Sequence, residues 1–357
     1  MRRFLPLLAL ALLHCSDDPE PATMEPSDET DAAERTDAGR DAGSLDARTP
    51  IDARVLDDAR TPLDGRVSIE DARVSIEDAR VVADATVADA GPRPSFDVQP
   101  NAPALSYLGT NGNDAACSRQ FRTMGYAPSD GAKHPLFLYF VGTQFFAEDE
   151  SPYYDSQAAK RTTEAMARRG FVAYSVEYDN QFTSFFADKT RCLYEDPNGL
   201  LKKACALPNV DCSLGVATWG HSQGGLIAHG AGNYDARVKA TWTTGYSGRD
   251  DAKLPPDRLR VVNGEADQYN ATLETLNKAA GTNCPEGDSC LRADGSGWIR
   301  VRKAASAQNS ADHCWFDKRA CSENTLNLEP NWFDPASTAA FSLEKNADWV
   351  AATVKRP

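Results

Sequence analysis

The pentapeptide Gly-His-Ser-Gln-Gly at residues 220–224 lies between two segments of different character. Residues 216–219 are mostly apolar and favour a buried strand, whereas residues 226–229 continue as a helix. Glycines at both ends of the pentapeptide allow a turn so tight that the strand leads directly into the helix. A strand that turns at once into a helix predicts parallel strands joined by helical crossovers.

The chain beyond residue 135 repeats this alternation of strand and helix patterns. Residues 156–169 predict a helix, which Gly170 separates from the next strand. Strands are predicted at residues 136–141, 171–176, 215–219, 238–243, 259–262 and 298–302. Their order predicts an α/β fold with a mostly parallel, doubly wound sheet and helices on both faces.

Three residue types that nucleophilic catalysis requires follow successive strands of this sheet. Ser222 lies in the tight turn, where its hydroxyl would be presented as a nucleophile at the carboxyl end of the sheet. A serine needs a base to accept its proton and a carboxylate to orient that base. His313 is the one histidine after the serine helix and is the predicted base. Asp267 is the predicted acid, with Glu265 as the alternative.

The tetrahedral intermediate of such a reaction carries an oxyanion that requires two hydrogen-bond donors. The backbone amide of Gln223 is the first predicted donor, because it directly follows the nucleophile. The second donor is expected from the loop after the strand at 136–141, with Thr143 and Gln144 as candidates. The side chain of Gln144 is a further candidate, and a plain loop role for that residue stays open.

Cysteine usage points to an oxidising compartment. The chain has nine cysteines, so an even number remains when Cys15 is set aside. Short spacing predicts the disulfides Cys284 with Cys290 and Cys314 with Cys321, the second of which would brace the loop of His313. The pairing of four others is left open: Cys117, Cys192, Cys205 and Cys212. No metal site is predicted, because no Cys-x-x-Cys pair occurs and the histidines are not clustered with cysteines.

The N-terminus has the pattern of an export signal. Two arginines precede an apolar run at residues 4–13, which is too short to span a bilayer as a helix. Residues 1–14 are therefore predicted to be a signal peptide, and Cys15 the lipidated first residue of the mature chain. His14 departs from the lipoprotein pattern, which prefers a small residue there, so ordinary cleavage without lipidation is the alternative. The protein is then either a bacterial cell-envelope lipoprotein or secreted.

Residues 15–100 differ sharply in composition from the rest. Residues 16–100 contain 22 acidic and 9 basic side chains, a net charge of −13, and few large apolar groups. Ordering this segment would cost chain entropy with no core to offset it, so it is predicted to be a disordered acidic linker. Binding of cations or cell-wall polymers is its functional alternative. Residues 101–357, with a net charge of −3, are predicted to form the catalytic domain, and nothing in them suggests nucleic-acid binding.

The pentapeptide around Ser222, followed along the chain by Asp267 and His313, resembles the α/β-hydrolase family, especially its secreted bacterial esterases and dienelactone-hydrolase-like members. The resemblance covers residues 136–316. It implies an eight-stranded sheet whose first strands lie between Tyr107 and Ala127, and it implies no metal or organic cofactor. Many relatives carry His-Gly after the third strand, whereas residues 141–142 of this chain are Val-Gly.

These residues predict a serine hydrolase that cleaves a small-molecule or polymeric carboxylic ester through an acyl-enzyme on Ser222. A serine peptidase of the same fold and a surface binding protein with an idle triad are the alternatives. Contact with a membrane is expected only through the lipid on Cys15, and the oligomeric state is not encoded. Aromatic residues of two loops predict an apolar pocket, with simple packing against the sheet as the alternative for at least half of them: Phe145, Phe146, Tyr153, Tyr154, Tyr178, Phe182, Phe185 and Phe186.

Overall fold

A central sheet contains every strand that the sequence predicts. The computed structural model describes residues 95–101, 105–111, 114–143, 153–180, 186–318 and 328–356. The strands in these ranges are β1 (Val98–Pro100), β2 (Ser106–Asn111), β3 (Asp114–Pro128), β4 (Leu136–Phe140), β5 (Val172–Val176), β6 (Val216–His221), β7 (Val238–Thr244), β8 (Leu259–Gly264), β9 (Ser289–Leu291) and β10 (Gly297–Val301). The signal peptide, the acidic segment up to residue 94, Cys15, Gln144 and Cys321 lie outside the described residues.

The strand order is β1-β3-β5-β4-β6-β7-β8-β10-β9, with β2 paired to β3 beside this path. The pairs from β5 through β4, β6, β7 and β8 to β10 are all parallel, and β1, β2, β3 and β9 pair antiparallel. The prediction of a mostly parallel α/β sheet is confirmed. The implied number of eight strands is too low, because the described chain has ten, including the three-residue edge strands β1 and β9. Since β1 pairs with β3, the folded part begins before residue 101.

The strands β4 and β5 are buried on both faces because they are almost wholly apolar. All five residues of β4 and all five of β5 are buried, as expected for a parallel sheet covered by helices. Tyr139, Trp219 and Trp242 lie opposite one another in register on β4, β6 and β7. Their rings stack with centroids 4.3 and 4.2 Å apart, which ties the three strands together on one face.

Helices cover both faces, as predicted. They are α1 (Gln157–Ala167), α2 (Phe186–Tyr194), α3 (Leu200–Cys205), α4 (Gln223–Gly230), α5 (Leu273–Ala280), α6 (Trp315–Lys318), α7 (Pro330–Phe333) and α8 (Leu343–Val354). The Thr218 hydroxyl donates to the Ala228 carbonyl of α4 at 3.0 Å, whereas the Trp219 ring lies 6.0 Å from Trp332 of α7. Successive residues of a strand point to opposite faces, so α4 and α7 lie on opposite sides of the sheet.

Three disulfides join the described residues. Cys284–Cys290 was predicted and is confirmed, and the open pairings are Cys117–Cys192 and Cys205–Cys212. Cys314 is also disulfide-bonded, and its predicted pairing with Cys321 stays a prediction. In the described ranges, no helix has both the length and the apolar character needed to cross a membrane.

Candidate active site

Ser222 occupies a strained turn between β6 and α4. Its backbone angles are φ 52° and ψ −117°, a conformation that non-glycine residues rarely adopt and that costs about 1 to 3 kcal/mol. The turn is held on both sides, because the Ser222 amide donates to the Thr244 carbonyl of β7 at 3.0 Å and the Leu226 amide donates to the Ser222 carbonyl at 3.2 Å. The side chain is half-buried at the carboxyl end of β6.

The two glycines of the pentapeptide are required by close backbone contacts. A Cβ atom at Gly220 would lie 2.0 Å from the Gly224 carbonyl oxygen, so the turn folds back onto itself at that point. A Cβ atom at Gly224 would lie 2.2 Å from the Phe140 carbonyl oxygen at the end of β4. Any side chain at either position would push the turn open, and the strain at Ser222 could then relax.

Asp267 and His313 form a buried pair on neighbouring loops. His313 Nδ1 lies 2.9 Å from Asp267 Oδ2, and the two side chains are only 9% and 1% exposed. The other carboxylate oxygen of Asp267 accepts the backbone amides of Tyr269 at 2.9 Å and Asn270 at 3.0 Å. Since Nδ1 of His313 is directed at the Asp267 carboxylate, Nε2 is the ring nitrogen that remains available to act as a base.

Glu265, the alternative acid, points away from His313. Its carboxylate accepts the Lys303 amide at 2.8 Å and Arg302 Nη1 at 2.9 Å. These bonds, the Lys303 amide first, hold the pKa of Glu265 below its ordinary value. The geometry therefore pairs His313 with Asp267 and leaves Glu265 in a partly exposed surface ion pair.

The loop of His313 is fixed to the end of β8. Ala266 donates its amide to the Ala311 carbonyl at 3.0 Å, and the Ser306 hydroxyl accepts the amides of Ser310 at 3.0 Å and Ala311 at 3.2 Å. Ala311 has a φ of 42°, so the turn before His313 is strained as well. These contacts hold the histidine ring in one place relative to Asp267.

His221 is the group that the sequence analysis left without a role at this site. Its buried ring lies 4.6 Å from the ring of His313 and 4.5 Å from Phe316. Burial lowers the pKa of His221 well below its ordinary value, and His313 lowers it further. His221 is therefore neutral, and its ring packs against the ring of His313. The position of His221 beside Ser222 in the pentapeptide indicated that it lies near the site, but sequence alone could not show that its ring contacts His313.

The ring of His221 lies 4.6 Å from the ring of His313, and Gly142 lies beside both His221 and Ser222. A Cβ atom at Gly142 would lie 3.5 Å from Cβ of Ser222 and 2.9 Å from Cδ2 of His221, so the loop after β4 passes directly beside the turn. Within the described part of the chain, the Ser222 hydroxyl makes no hydrogen bond to His313. Catalytic hydrogen bonds are often long before substrate binds, so this geometry is compatible with the predicted pair.

Two residues after β5 orient the loop that follows β4. The Tyr178 hydroxyl donates to the Val141 carbonyl at 2.6 Å, and Asn180 Nδ2 donates to the Gly142 carbonyl at 3.0 Å. Carbonyl and amide of one trans peptide point in opposite directions, so these bonds turn the amides of Gly142 and Thr143 away from the β5 side. Tyr178 was predicted to line a pocket, but its buried side chain supports this loop.

Gln223 links the turn to this loop through its side chain. Its Nε2 donates to the Thr143 hydroxyl at 3.3 Å, and its Oε1 accepts from Lys189 Nζ of α2 at 3.4 Å. The backbone of Gln223 begins α4, where the first amides of a helix have no partner within the helix. The side chains of Thr143 and Gln223 are thus in contact, and the role of these residues as oxyanion donors stays a prediction. Gln144 lies outside the described residues.

The aromatic residues near the site are divided between packing and surface. Tyr269, two residues after Asp267, is 63% exposed, and its ring meets the His313 ring edge-on at 5.0 Å. Tyr153 and Tyr154 are partly buried, and Phe145, Phe146, Phe182 and Phe185 lie outside the described residues. Tyr269 could not be predicted from sequence as part of this site, because an aromatic residue in a polar loop gives no periodic signal.

These features together belong to one known architecture. In it, a strand of a mostly parallel sheet leads through a strained serine into a helix, and an acid and a histidine follow on later loops. The chain has an α/β-hydrolase fold. It is similar to a lidless α/β serine hydrolase from Xanthomonas campestris, at 13% identity over 58% of this chain and 86% of that one, with a TM-score of 0.39. It is also similar to a cold-adapted esterase from an Arctic intertidal metagenomic library, at 14% identity over 73% and 96%, with a TM-score of 0.43.

No protein-family model and no curated protein matches the chain. In the ranges that the structure describes, no three His, Cys, Asp or Glu side chains come together in a group that could hold a metal ion.

Proposed function

We propose that this chain is a serine hydrolase that cleaves carboxylic esters through an acyl-enzyme on Ser222. The observation that carries the proposal is the pair of His313 Nδ1 and Asp267 Oδ2, 2.9 Å apart and buried, in a chain whose predicted nucleophile is held at φ 52°. Both features are typical of nucleophilic catalysis, because backbone strain is stored at functional sites and a buried carboxylate orients the histidine base.

The reaction begins when His313 Nε2 accepts the proton of the Ser222 hydroxyl and Oγ attacks the ester carbonyl carbon. The carbonyl oxygen becomes an oxyanion, for which the backbone amides of Gln223 and Thr143 are the proposed donors. The intermediate collapses as His313 returns the proton to the leaving alkoxide, which departs as an alcohol. Water then attacks the acyl-enzyme with the same base and releases the acid and Ser222.

An ester is proposed as the substrate because the accessible group beside His313 is an aromatic ring. Tyr269 presents an exposed surface that suits an apolar acyl or alcohol group. Two carboxylates near this site are already engaged, Asp267 by His313 and Glu265 by Arg302.

A matched pair of chromogenic substrates tests the substrate class. We expect the full chain to hydrolyse p-nitrophenyl acetate and to turn over the corresponding p-nitroanilide at least a hundredfold more slowly, and we expect Ser222→Ala to abolish ester turnover, since its loss removes the whole covalent route. Equal turnover of ester and anilide would favour a peptidase. Unchanged ester turnover in S222A would reject Ser222.

We also propose export, with Cys15 as a lipid-anchored residue. The disulfides of the described domain suit an oxidising compartment. Metabolic labelling with a palmitate analogue in a bacterial host should modify the full chain and leave Cys15→Ser unmodified. Lipid-free protein in the medium would support ordinary cleavage instead.

A further inference from the structure

Lys189 is a buried lysine whose position the proposed reaction does not yet explain. It lies on α2 and is 2% exposed. A buried ammonium is costly to desolvate, and lysine is almost never fully buried unless it is paired. Burial lowers the pKa of Lys189, and the nearby Asp179 opposes that shift. Because burying the Lys189 ammonium costs free energy, its position suggests a functional role.

The lysine is directed toward the site rather than toward solvent. Its Nζ donates to Gln223 Oε1 at 3.4 Å, and Gln223 Nε2 donates in turn to the Thr143 hydroxyl at 3.3 Å. The carbonyl end of the Gln223 amide is held by a positive charge, and its NH₂ end reaches the loop after β4. One side chain thus connects Lys189 to both segments that carry the proposed oxyanion donors.

Helix α2 is well suited to hold this charge in place. The Phe186 ring lies 5.5 Å from Nζ, so the ammonium also has a cation–π contact. The Cys117–Cys192 disulfide ties the same helix to β3. Since Lys189 lies three residues before Cys192, its backbone is restrained close to a covalent crosslink.

We infer that Lys189 is a positioning residue that acts through Gln223 to align the amides of Gln223 and Thr143 and to favour negative charge between them. This inference rests on the proposed function. A fixed positive charge in a low-dielectric site stabilises an oxyanion that forms only in the transition state. Its loss should therefore slow the chemical step more than it weakens binding of a neutral ligand.

The test uses an alkyl fluorophosphonate on the full chain, because phosphonylation of a serine builds negative charge on the phosphoryl oxygen without requiring a known substrate. Lys189→Met keeps the side-chain length and removes the charge. We expect it to lower the maximal inactivation rate constant by about tenfold, less than the loss from removing a direct oxyanion donor, with little change in the half-saturating concentration. The exposed lysine of α3, changed in Lys203→Met, is the matched control and should behave as the unaltered protein.

A second variant tests whether Lys189 acts through Gln223. Gln223→Met keeps the backbone amide but removes the side-chain bonds to Lys189 and Thr143. Its maximal inactivation rate constant should therefore fall as far as that of Lys189→Met, and that of the double variant should fall little further. An unchanged rate constant in a folded K189M, a change confined to the half-saturating concentration, or additive losses in the double variant would overturn the inference. If K189M does not unfold cooperatively, an unchanged rate constant in Q223M would overturn it. Failure of the unaltered protein to react would count against the proposed function itself.

Discussion

The imidazole rings of His221 and His313 lie 4.6 Å apart, and both rest against the backbone of Gly245. A Cβ atom at Gly245 would lie 2.6 Å from Cε1 of His221 and 2.9 Å from Cε1 of His313. The glycine has a φ of 56°, in the region that disfavours other residues. The His221 ring and the close approach of Gly245 therefore both restrict the position of the proposed base.

Gly245→Ala should destabilise the protein and displace His313. Gly131 is the matched control, because its φ is 74° but a Cβ there would meet nothing within 4 Å. We expect G131A to cost about 1 kcal/mol from backbone strain alone, and G245A to cost a further 1 to 3 kcal/mol from overpacking. Urea denaturation measures both. Equal costs would mean that the two rings move aside freely.

Asp267→Asn should lower the rate of fluorophosphonate labelling by about ten-thousand-fold, because the amide cannot hold the Nδ1 proton and the basic Nε2 is lost. Glu265→Gln is the control, since its carboxylate bonds to Arg302 and Lys303 and not to His313. We expect E265Q to label within a few-fold of the unaltered rate. Similar losses in both variants would contradict the assignment of the acid.

His229 makes the stability of the fold dependent on pH. Burial lowers its pKa from 6.5 to about 4, and Nε2 bonds to the Ala279 carbonyl at 3.1 Å. The unfolded chain binds the proton more readily than the folded one, so this stability is present above pH 6.5 and is lost as the pH falls toward 4.

His229→Gln keeps a donor for Ala279 but does not titrate. We expect the unaltered protein to lose about 2 to 3 kcal/mol more than H229Q between pH 7 and pH 4.5, measured by urea unfolding. Both proteins share all other acidic groups, so the difference between their curves isolates His229. Parallel curves would show that the folded protein binds this proton as readily as the unfolded chain.

The two disulfides around α2 and α3 close loops of different length. Cys117 and Cys192 are 75 residues apart, whereas Cys205 and Cys212 are 7 apart. In the chain-entropy account, replacing the first pair by alanine costs about 4 kcal/mol and the second about 2 kcal/mol. Unfolding of the two double variants under identical conditions measures the difference. A larger loss from the short loop would indicate that native contacts, not chain entropy, set these values.

The strands that could be predicted from sequence are those with strong apolar runs. Each of the six predicted strands lies within two residues of its observed bounds at both ends, because burial leaves these segments rich in apolar residues. The edge strands β1 and β9 were not predicted, since three residues, two of them exposed in each strand, carry no periodicity. Their pairing is decided by neighbours that are distant in sequence.

The contacts within the candidate site are also long-range. Lys189 on an amphipathic helix has the pattern of a solvated residue, and its partner Gln223 is 34 positions away. The pairing of Cys117 with Cys192 likewise spans 75 residues. Sequence order predicted Ser222, Asp267 and His313 as candidates because each follows a strand, but the positions of His221, Asn180 and Tyr269 depend on how the loops fold over one another.

The nucleophile is tested most directly by labelling the full chain with a fluorophosphonate and locating the modified peptide by mass spectrometry. We expect a single modified residue, Ser222, at a rate that falls to background in Ser222→Ala, whose fold should remain intact. Modification of another serine, or persistent labelling of folded S222A, would contradict the account. Complete lack of labelling of the folded protein would do so as well.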